Sequence, residues 1–295
     1  MAEPILELDG LDVTFPGRRG HSTTVVHGVS LRLQAGETLS LVGESGSGKT
    51  TIGRAILGLA PVSRGTIRFR GKVISNVPRR ERRALARDIQ VVFQDPYSSL
   101  NPSMRVEDII VEPMAAAGAA GGRQRVRELL DSVGLPSDAA HRYPREFSGG
   151  QRQRVAIARA LALDPSVIIC DEPTSALDVT TQAKVLTLLA DLQKATGVAY
   201  LFISHDLGVV NSISDRIAVL KDGRIVEVGP ARQVAFSPSE EYTRALQMAA
   251  PVADPAKQRQ RRLARAAARS GGPTPGANTE PNAGPNADPD KSADR

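Results

Sequence analysis

Apolar and polar residues alternate over residues 5–15 and again over 29–34, the period-two pattern of half-buried strands. Gly36 turns the chain into Thr38-Leu39-Ser40-Leu41-Val42, a continuous apolar strand that runs straight into a glycine-rich loop. Residues 50–59 then read as a helix. Further strands are expected at 65–74 and 88–94, separated by a charged segment, 78–87. From 95 to 163 the pattern changes to helices, at 106–117, 123–133 and 151–163, punctuated by Pro102, Pro136 and Pro144. Strand character returns at 166–171 and 199–204 with a helix at 180–195 between them. A hairpin is expected at 217–228 around Lys221-Asp222-Gly223, and a closing helix at 242–249. Beyond about Val252 the periodicity stops. Residues 271–295, rich in Pro, Gly, Asn and Asp, read as disordered, and 257–269 as a solvated basic tail.

The strand–loop–helix context gives the glycines their meaning. In Gly43-Glu44-Ser45-Gly46-Ser47-Gly48-Lys49-Thr50 the backbone can curl until successive N–H groups point inward at phosphate oxygens. Lys49 would reach the β- and γ-phosphates as a point charge, and the Thr50 hydroxyl would ligate Mg²⁺. A second element, Val167-Ile168-Ile169-Cys170-Asp171-Glu172, is an apolar strand ending in two acids. Such a strand sets carboxylates at the edge of a parallel sheet, where Asp171 would hold Mg²⁺ and Glu172 would polarise the attacking water. The third element is Phe147-Ser148-Gly149-Gly150-Gln151, directly ahead of a helix. It is either a cap and turn or a second anion-binding nest. One nucleotide cannot easily occupy two nests on one chain, so the nest reading implies a head-to-tail dimer with each ATP clamped between two subunits.

In these residues the chain resembles the ATP-binding cassette (ABC) superfamily, over roughly residues 5–246. The resemblance implies an α/β P-loop NTPase fold with a mixed-sheet core, an antiparallel β subdomain and an inserted α-helical subdomain. It implies an ATP-binding domain at 1–250, helical at about 96–165, and a tail at 251–295. Phe15 sits where the family stacks an aromatic ring on adenine, and Thr51 follows the phosphate loop. Gln94 corresponds to the Q-loop glutamine, which the family places near Mg²⁺ and the reacting phosphate. Ser148, Gly149, Gly150 and Gln151 resemble the signature motif, Ser175-Ala176-Leu177-Asp178 the D-loop, and His205 the switch histidine. The implied catalytic set is Glu172, His205 and Gln94. Phe147 departs from the signature's usual Leu at a position that packs. The stretches Val92-Phe93-Gln94-Asp95-Pro96-Tyr97-Ser98-Ser99-Leu100-Asn101-Pro102 and Tyr242-Thr243-Arg244-Ala245-Leu246 are similar to the oligopeptide, dipeptide and nickel importer group. The C-terminal cysteine cluster of many such relatives has no counterpart here.

Composition adjusts this picture at the margins. The single cysteine, Cys170, excludes an internal disulfide or a multi-cysteine metal site and fits a reducing compartment. No stretch of ~18 apolar residues reads as membrane-spanning, and the N-terminus lacks the pattern of a signal peptide. Net charge is +6, concentrated at 79–87 and 257–269, which a solvated helix face and a basic tail explain. The resemblance therefore implies a peripheral protein on the cytoplasmic face of a bacterial membrane. It would burn ATP with Mg²⁺ for an importer of peptides or similar solutes. Its implied partners are transmembrane permease subunits, a second ATP-binding subunit and, indirectly, an extracytoplasmic solute-binding protein, with no nucleic acid. The segment after Gln94, through Met104, is the expected contact for the permease. The alternative class is a soluble cassette ATPase acting on nucleic acid or ribosomes, with an exporter cassette third.

Overall fold

A computed structural model describes residues 3–17, 21–119 and 122–249. The chain runs β1 (Leu6–Pro16), β2 (Ser22–Leu33), β3 (Thr38–Val42), α1 (Lys49–Ile56), β4 (Val62–Phe69), β5 (Lys72–Val73), α2 (Arg79–Leu85) and β6 (Ile89–Val92). Short α3 (Pro96–Ser99), α4 (Val106–Ala116), α5 (Arg123–Ser132) and α6 (Gly149–Leu161) follow, and then β7 (Val167–Asp171), α7 (Val179–Thr196) and β8 (Ala199–Ser204). The described chain closes with α8 (Leu207–Asn211), the hairpin β9 (Arg216–Lys221) and β10 (Arg224–Pro230), α9 (Ala231–Phe236) and α10 (Glu241–Ala249).

Two sheets form. One is antiparallel, in the order β2-β1-β4-β5; the other runs β10-β9-β3-β8-β7-β6, parallel except for the antiparallel edge strand β10. Alternation along the parallel strands sorts their side chains into two cores. Leu39, Leu41, Val167, Ile169, Leu201, Ile203, Ala218 and Leu220 face one way, and with Ile52 and Ile56 of α1 they pack against the antiparallel sheet. Val42, Ile168, Cys170, Tyr200, Phe202, Ile217 and Val219 face the other way, into a core built with α4, α5, α6 and α7. The parallel sheet is thus covered on both faces, which is why its strands read as apolar runs rather than alternating ones. Cys170 is fully buried as a free thiol, pushed well above the usual thiol range by that burial.

Two local differences from the sequence pattern, and the solvated helix that it expected in the charged segment, have physical causes. The strand expected at 65–74 is a hairpin, because Arg70 and Gly71 both take positive φ (48° and 74°), as a two-residue type I′ turn requires. The charged segment 78–87 contains a helix, α2, with no buried residue. It is held by Arg82, whose guanidinium donates to the backbone oxygens of Ile56 and Ile74 and so caps the C-terminal end of α1. Helix α1 ends at Ile56 because the chain reverses through Gly58 at φ 70°. The sequence pattern also missed α3, α8 and α9, each of six residues or fewer and too short to show a period. The tail at 251–295, with its basic stretch, lies outside the described residues.

Candidate functional site

The strand order β6-β7-β8-β3 brings four strand ends to one edge of the sheet. Gln94 follows β6, Asp171 and Glu172 end β7, His205 follows β8, and the loop 43–50 follows β3. This carboxyl edge of a parallel sheet is where α/β folds place ligands.

The loop after β3 is shaped by its glycines. A Cβ on Gly43 would lie 2.1 Å from the Leu220 oxygen, and Gly48 takes φ 103° as the N-cap of α1. That helix starts with no side-chain cap and no acid in its first turn, so its N–H donors and its positive dipole end are left for an external anion. Lys49 is 4% exposed, and its ammonium donates to Gly43 O and Glu44 O, both at 2.8 Å. Burial pulls that ammonium below the usual lysine range, while Glu172, Asp171 and Glu44 pull it back up. The buried Ser47 hydroxyl has no hydrogen-bond partner. A buried cation resting on neutral carbonyls beside an orphaned hydroxyl and an uncapped helix fits a bound phosphate.

The Thr50 hydroxyl donates to Asp171 Oδ1 at 2.9 Å. Burial pushes the Asp171 carboxyl above the usual carboxylate range, against the opposing Thr50 hydrogen bond. A half-buried hydroxyl–carboxylate pair of hard oxygens suits Mg²⁺. Among the described residues no cluster of three or more His, Cys, Asp or Glu could hold a metal alone.

Glu172 takes φ 47° although Pro173 follows it, a position that disfavours anything but extended backbone. A non-glycine residue in that region stores on the order of 1–3 kcal/mol of strain. The strand ladder holds it there, since Glu172 N donates to Ile203 O at 2.9 Å. Its carboxylate, 14% exposed, lies 3.2 Å from His205 Nδ1 and accepts from Gln94 Nε2 at 3.3 Å. The three residues singled out for chemistry therefore meet at one oxygen.

Phe15 lies near the end of β1, paired with Thr23 of β2, and is 37% exposed. Two residues on, Val25 and Val26 of β2 wall the Gly48 backbone. Ser45 and Gly46 are exposed at the loop's tip, and Thr51 follows Thr50 in the first turn of α1.

Ser148 is the N-cap of α6. Its hydroxyl accepts from Gln151 N at 3.3 Å, and Gln151 Oε1 accepts from Ser148 N at 3.0 Å. A Cβ on Gly150 would meet Thr181 of α7 at 2.3 Å, so glycine permits this helix crossing. Asp178 caps α7, accepting from Thr181 N at 3.0 Å, and the hydrogen bonds from Thr181 hold its carboxyl below the usual range. Among the described residues no hydrogen bond joins 148–151 to the loop 43–50.

Three contacts escaped the sequence reading. Gly223 N in the β9–β10 turn donates to Ser47 O at 3.0 Å. Glu44 N donates to the Tyr242 hydroxyl at 3.2 Å, and the Arg152 guanidinium stacks 3.8 Å from the Tyr97 ring centroid. Tyr242 stood out in sequence through the importer-like stretch that contains it, but nothing local ties it to a loop 198 positions away.

Residues 26–175, half of the chain, match the family described as ABC transporter. The chain is 52% identical over 266 residues to the glutathione import ATP-binding protein GsiA of Escherichia coli (strain K12) and equally to that of Salmonella typhi. These alignments cover 87% of this chain and 43% of each relative, so the chain spans less than half the length of the curated relatives it matches. Among solved structures, cbiO1 from Clostridium perfringens, part of the ABC transporter complex cbiONQ, matches with TM-score 0.70 and 29% identity over 79% of this chain and 91% of that one. The ATP-binding cassette MJ0796, solved as a dimer in a post-hydrolysis state bound to ADP and Pi, matches with TM-score 0.69 and 32% identity over 77% and 99%.

Proposed function

The chain belongs to the ABC transporter family, and on that premise we propose that it binds and hydrolyses ATP as the ATP-binding subunit of an importer for peptides or similar small solutes. The observation that carries this reading is the meeting of Lys49, the Thr50–Asp171 pair and the Glu172–His205–Gln94 cluster along one sheet edge. Lys49, oriented by Gly43 O, turns its remaining N–H donors to phosphate oxygens, and the N–H groups of the loop and of α1 cradle the phosphates. Phe15 offers its half-exposed ring to the base, with Ser45, Gly46 and Thr51 at the margin of the phosphate site. Mg²⁺ held by Thr50 and Asp171, with Gln94 nearby, offsets the phosphate charge when bound. Glu172 accepts the proton of the attacking water, and His205 orients that carboxylate and faces the leaving phosphate.

The domain reading is an ATP-binding unit over 1–250, helical at about 96–165. The nest at 148–151 and Asp178 serve a second ATP-binding subunit, a reading that the dimeric MJ0796 cassette supports. Import of a small peptide is supported by the 52% identity to a glutathione import protein. No helix of the described residues is long and apolar enough to cross a membrane. On the likeness to an import ATP-binding protein, the proposed place of the chain is the cytoplasmic face of the membrane, with permease partners contacted by 95–104 and a solute-binding protein serving from outside.

Glu172→Gln tests the chemistry. The variant should keep its ATP affinity while phosphate release falls by about 10²-fold or more, the contribution of a positioned base. Turnover within a few-fold of the wild type would remove Glu172 from that role.

A further inference from the structure

The peptide unit joining Gly43 to Glu44 is held at both ends. Its carbonyl, Gly43 O, accepts from Lys49 Nζ at 2.8 Å, and its N–H, on Glu44, donates to the Tyr242 hydroxyl at 3.2 Å. A trans amide points these two groups in opposite directions, so the plane cannot turn without breaking both bonds. The inner bond orients the ammonium that the loop exists to present. The outer bond comes from the far end of the chain, 198 residues away.

The outer partner is itself firmly placed. Helix α10 is seated on β10 by the buried Glu227 carboxylate, which accepts from Ser239 N and Ser239 Oγ at 2.8 Å and from Glu240 N at 3.4 Å. Gln247 Nε2 ties α10 to Ala235 O of α9 at 2.8 Å, and Tyr242 and Leu246 pack on the larger core. The Lys221 ammonium sits 5.0 Å from the centre of the Tyr242 ring. Burial lifts the Tyr242 phenol above its ordinary range, so it accepts from Glu44 as a neutral hydroxyl. The neighbouring β9–β10 turn holds the same loop through Gly223 N on Ser47 O. The outer wall of the phosphate loop is thus built from the last elements of the described chain.

We propose that Tyr242 is a positioning residue for ATP binding: its hydroxyl fixes the Gly43–Glu44 peptide and so holds the Lys49 ammonium where the phosphates meet it. This rests on the ATP reading above and deepens it, because nucleotide affinity then depends on how α10 is seated. Losing the hydrogen bond frees one peptide plane, and ordering that plane falls to the nucleotide. A neutral hydrogen bond corresponds to about threefold to tenfold in an equilibrium constant.

The test is Tyr242→Phe in the full chain, which keeps the ring and removes only the hydroxyl. KM for ATP and Kd for ADP should each rise by about threefold to tenfold. The effect should fall on KM rather than kcat, and the nucleotide-free melting temperature should stay close to that of the wild type. Unchanged KM and Kd, or a fall in kcat with KM unmoved, would overturn the proposal. A second measurement needs no variant. In the nucleotide-free wild type the Glu44 amide should exchange with solvent more slowly than the Ser45 amide at the loop's exposed tip, and equal rates would also overturn it. A wild type that takes no nucleotide would bring down the ATP reading and this inference together. A wild type that binds, beside a Phe variant that binds equally well, would bring down this inference alone.

Discussion

The two glycine-rich turns, 43–50 and 148–151, both open helices but differ at the cap, Gly48 taking φ 103° where Ser148 is extended at φ −64°. Helix α1 begins with no side-chain cap, an orphaned Ser47 hydroxyl and a buried ammonium. Helix α6 begins with a complete capping box, Ser148 and Gln151 each accepting from the other's backbone. The first turn is left electrostatically unmet, which fits the phosphate site proposed for it. The second is capped in part: Ser148 N and Gln151 N are taken up inside the turn, and a phosphate that uses Gln151 N has to displace the Ser148 hydroxyl. The contrast teaches that the α6 turn suits a ligand already held elsewhere. Among the described residues no hydrogen bond joins it to the loop 43–50, which supports the proposal that a second subunit presents the phosphate.

Complementation between variants of the two turns should show the strongest change in activity. Lys49→Ala should abolish nucleotide binding by the first turn, and Ser148→Arg should fill the second with a charge that no cap can hold. Each variant alone should be nearly inactive in ATP hydrolysis. If the site is shared head to tail, mixing equal amounts should return activity, because a random mixture restores roughly a quarter of the composite sites. Loss of the Ser148 cap destabilises α6 by about 1 kcal/mol, so the variant's melting curve is the control for folding. A mixture no more active than its parents would confine the site to one chain.

Much of the first turn was legible in sequence because its information is local. Eight consecutive residues between an apolar strand and a helix specify both the backbone path and its chemistry. The same holds for Ser148-Gly149-Gly150-Gln151 and for the acids ending β7. What spacing alone does not give is strand order. Gln94, Glu172 and His205 meet at one oxygen only because β6, β7, β8 and β3 are neighbours. The resemblance to a known family supplied that order; alternation of apolar residues did not. The Arg70-Gly71 hairpin was missed because a strand interrupted by two turn residues keeps its apolar rhythm. Tyr242 was missed as a wall of the phosphate loop because the contact is purely tertiary.

A smaller effect sharpens the claim that the first turn is left unmet. Burial raises the Asp171 pKa, so at neutral pH the charged carboxylate is disfavoured in the folded, nucleotide-free protein. A raised carboxylate pKa means that this penalty is present above the folded pKa and is relieved only as pH falls through it. Asp171→Asn removes the charge and leaves an amide oxygen to accept from Thr50. It should therefore stabilise the nucleotide-free protein by about 1 kcal/mol, raising the melting temperature by about 2–4 °C. The gain should shrink in acid, and the variant should lose the Mg²⁺ dependence of ATP binding. A variant that melts lower than the wild type at pH 7 would show that the carboxylate is already satisfied.

A last and smaller effect concerns one of the contacts that tie α6 to the segment after Gln94, another being the Arg159 guanidinium donating to Ser99 O. Arg152, in the second turn of α6, is 8% exposed and donates to Pro144 O at 2.7 Å, with its guanidinium lying over the Tyr97 ring. Tyr97 follows Gln94 by three residues and is 62% exposed, so the stack joins the helix of the second turn to the segment leaving the catalytic cluster. Stacking of this kind contributes about 0.5–1 kcal/mol at an exposed site. Tyr97→Leu should lower the melting temperature by only a degree or two and leave ATP hydrolysis by the isolated chain within twofold. If this segment is the permease contact, as proposed, the same change in membranes containing the permease should lower solute uptake far more than ATP consumption, because the segment has lost one of its ties to α6. Equal losses of uptake and hydrolysis would mean that the stack is only packing, and that the two turns communicate by another route.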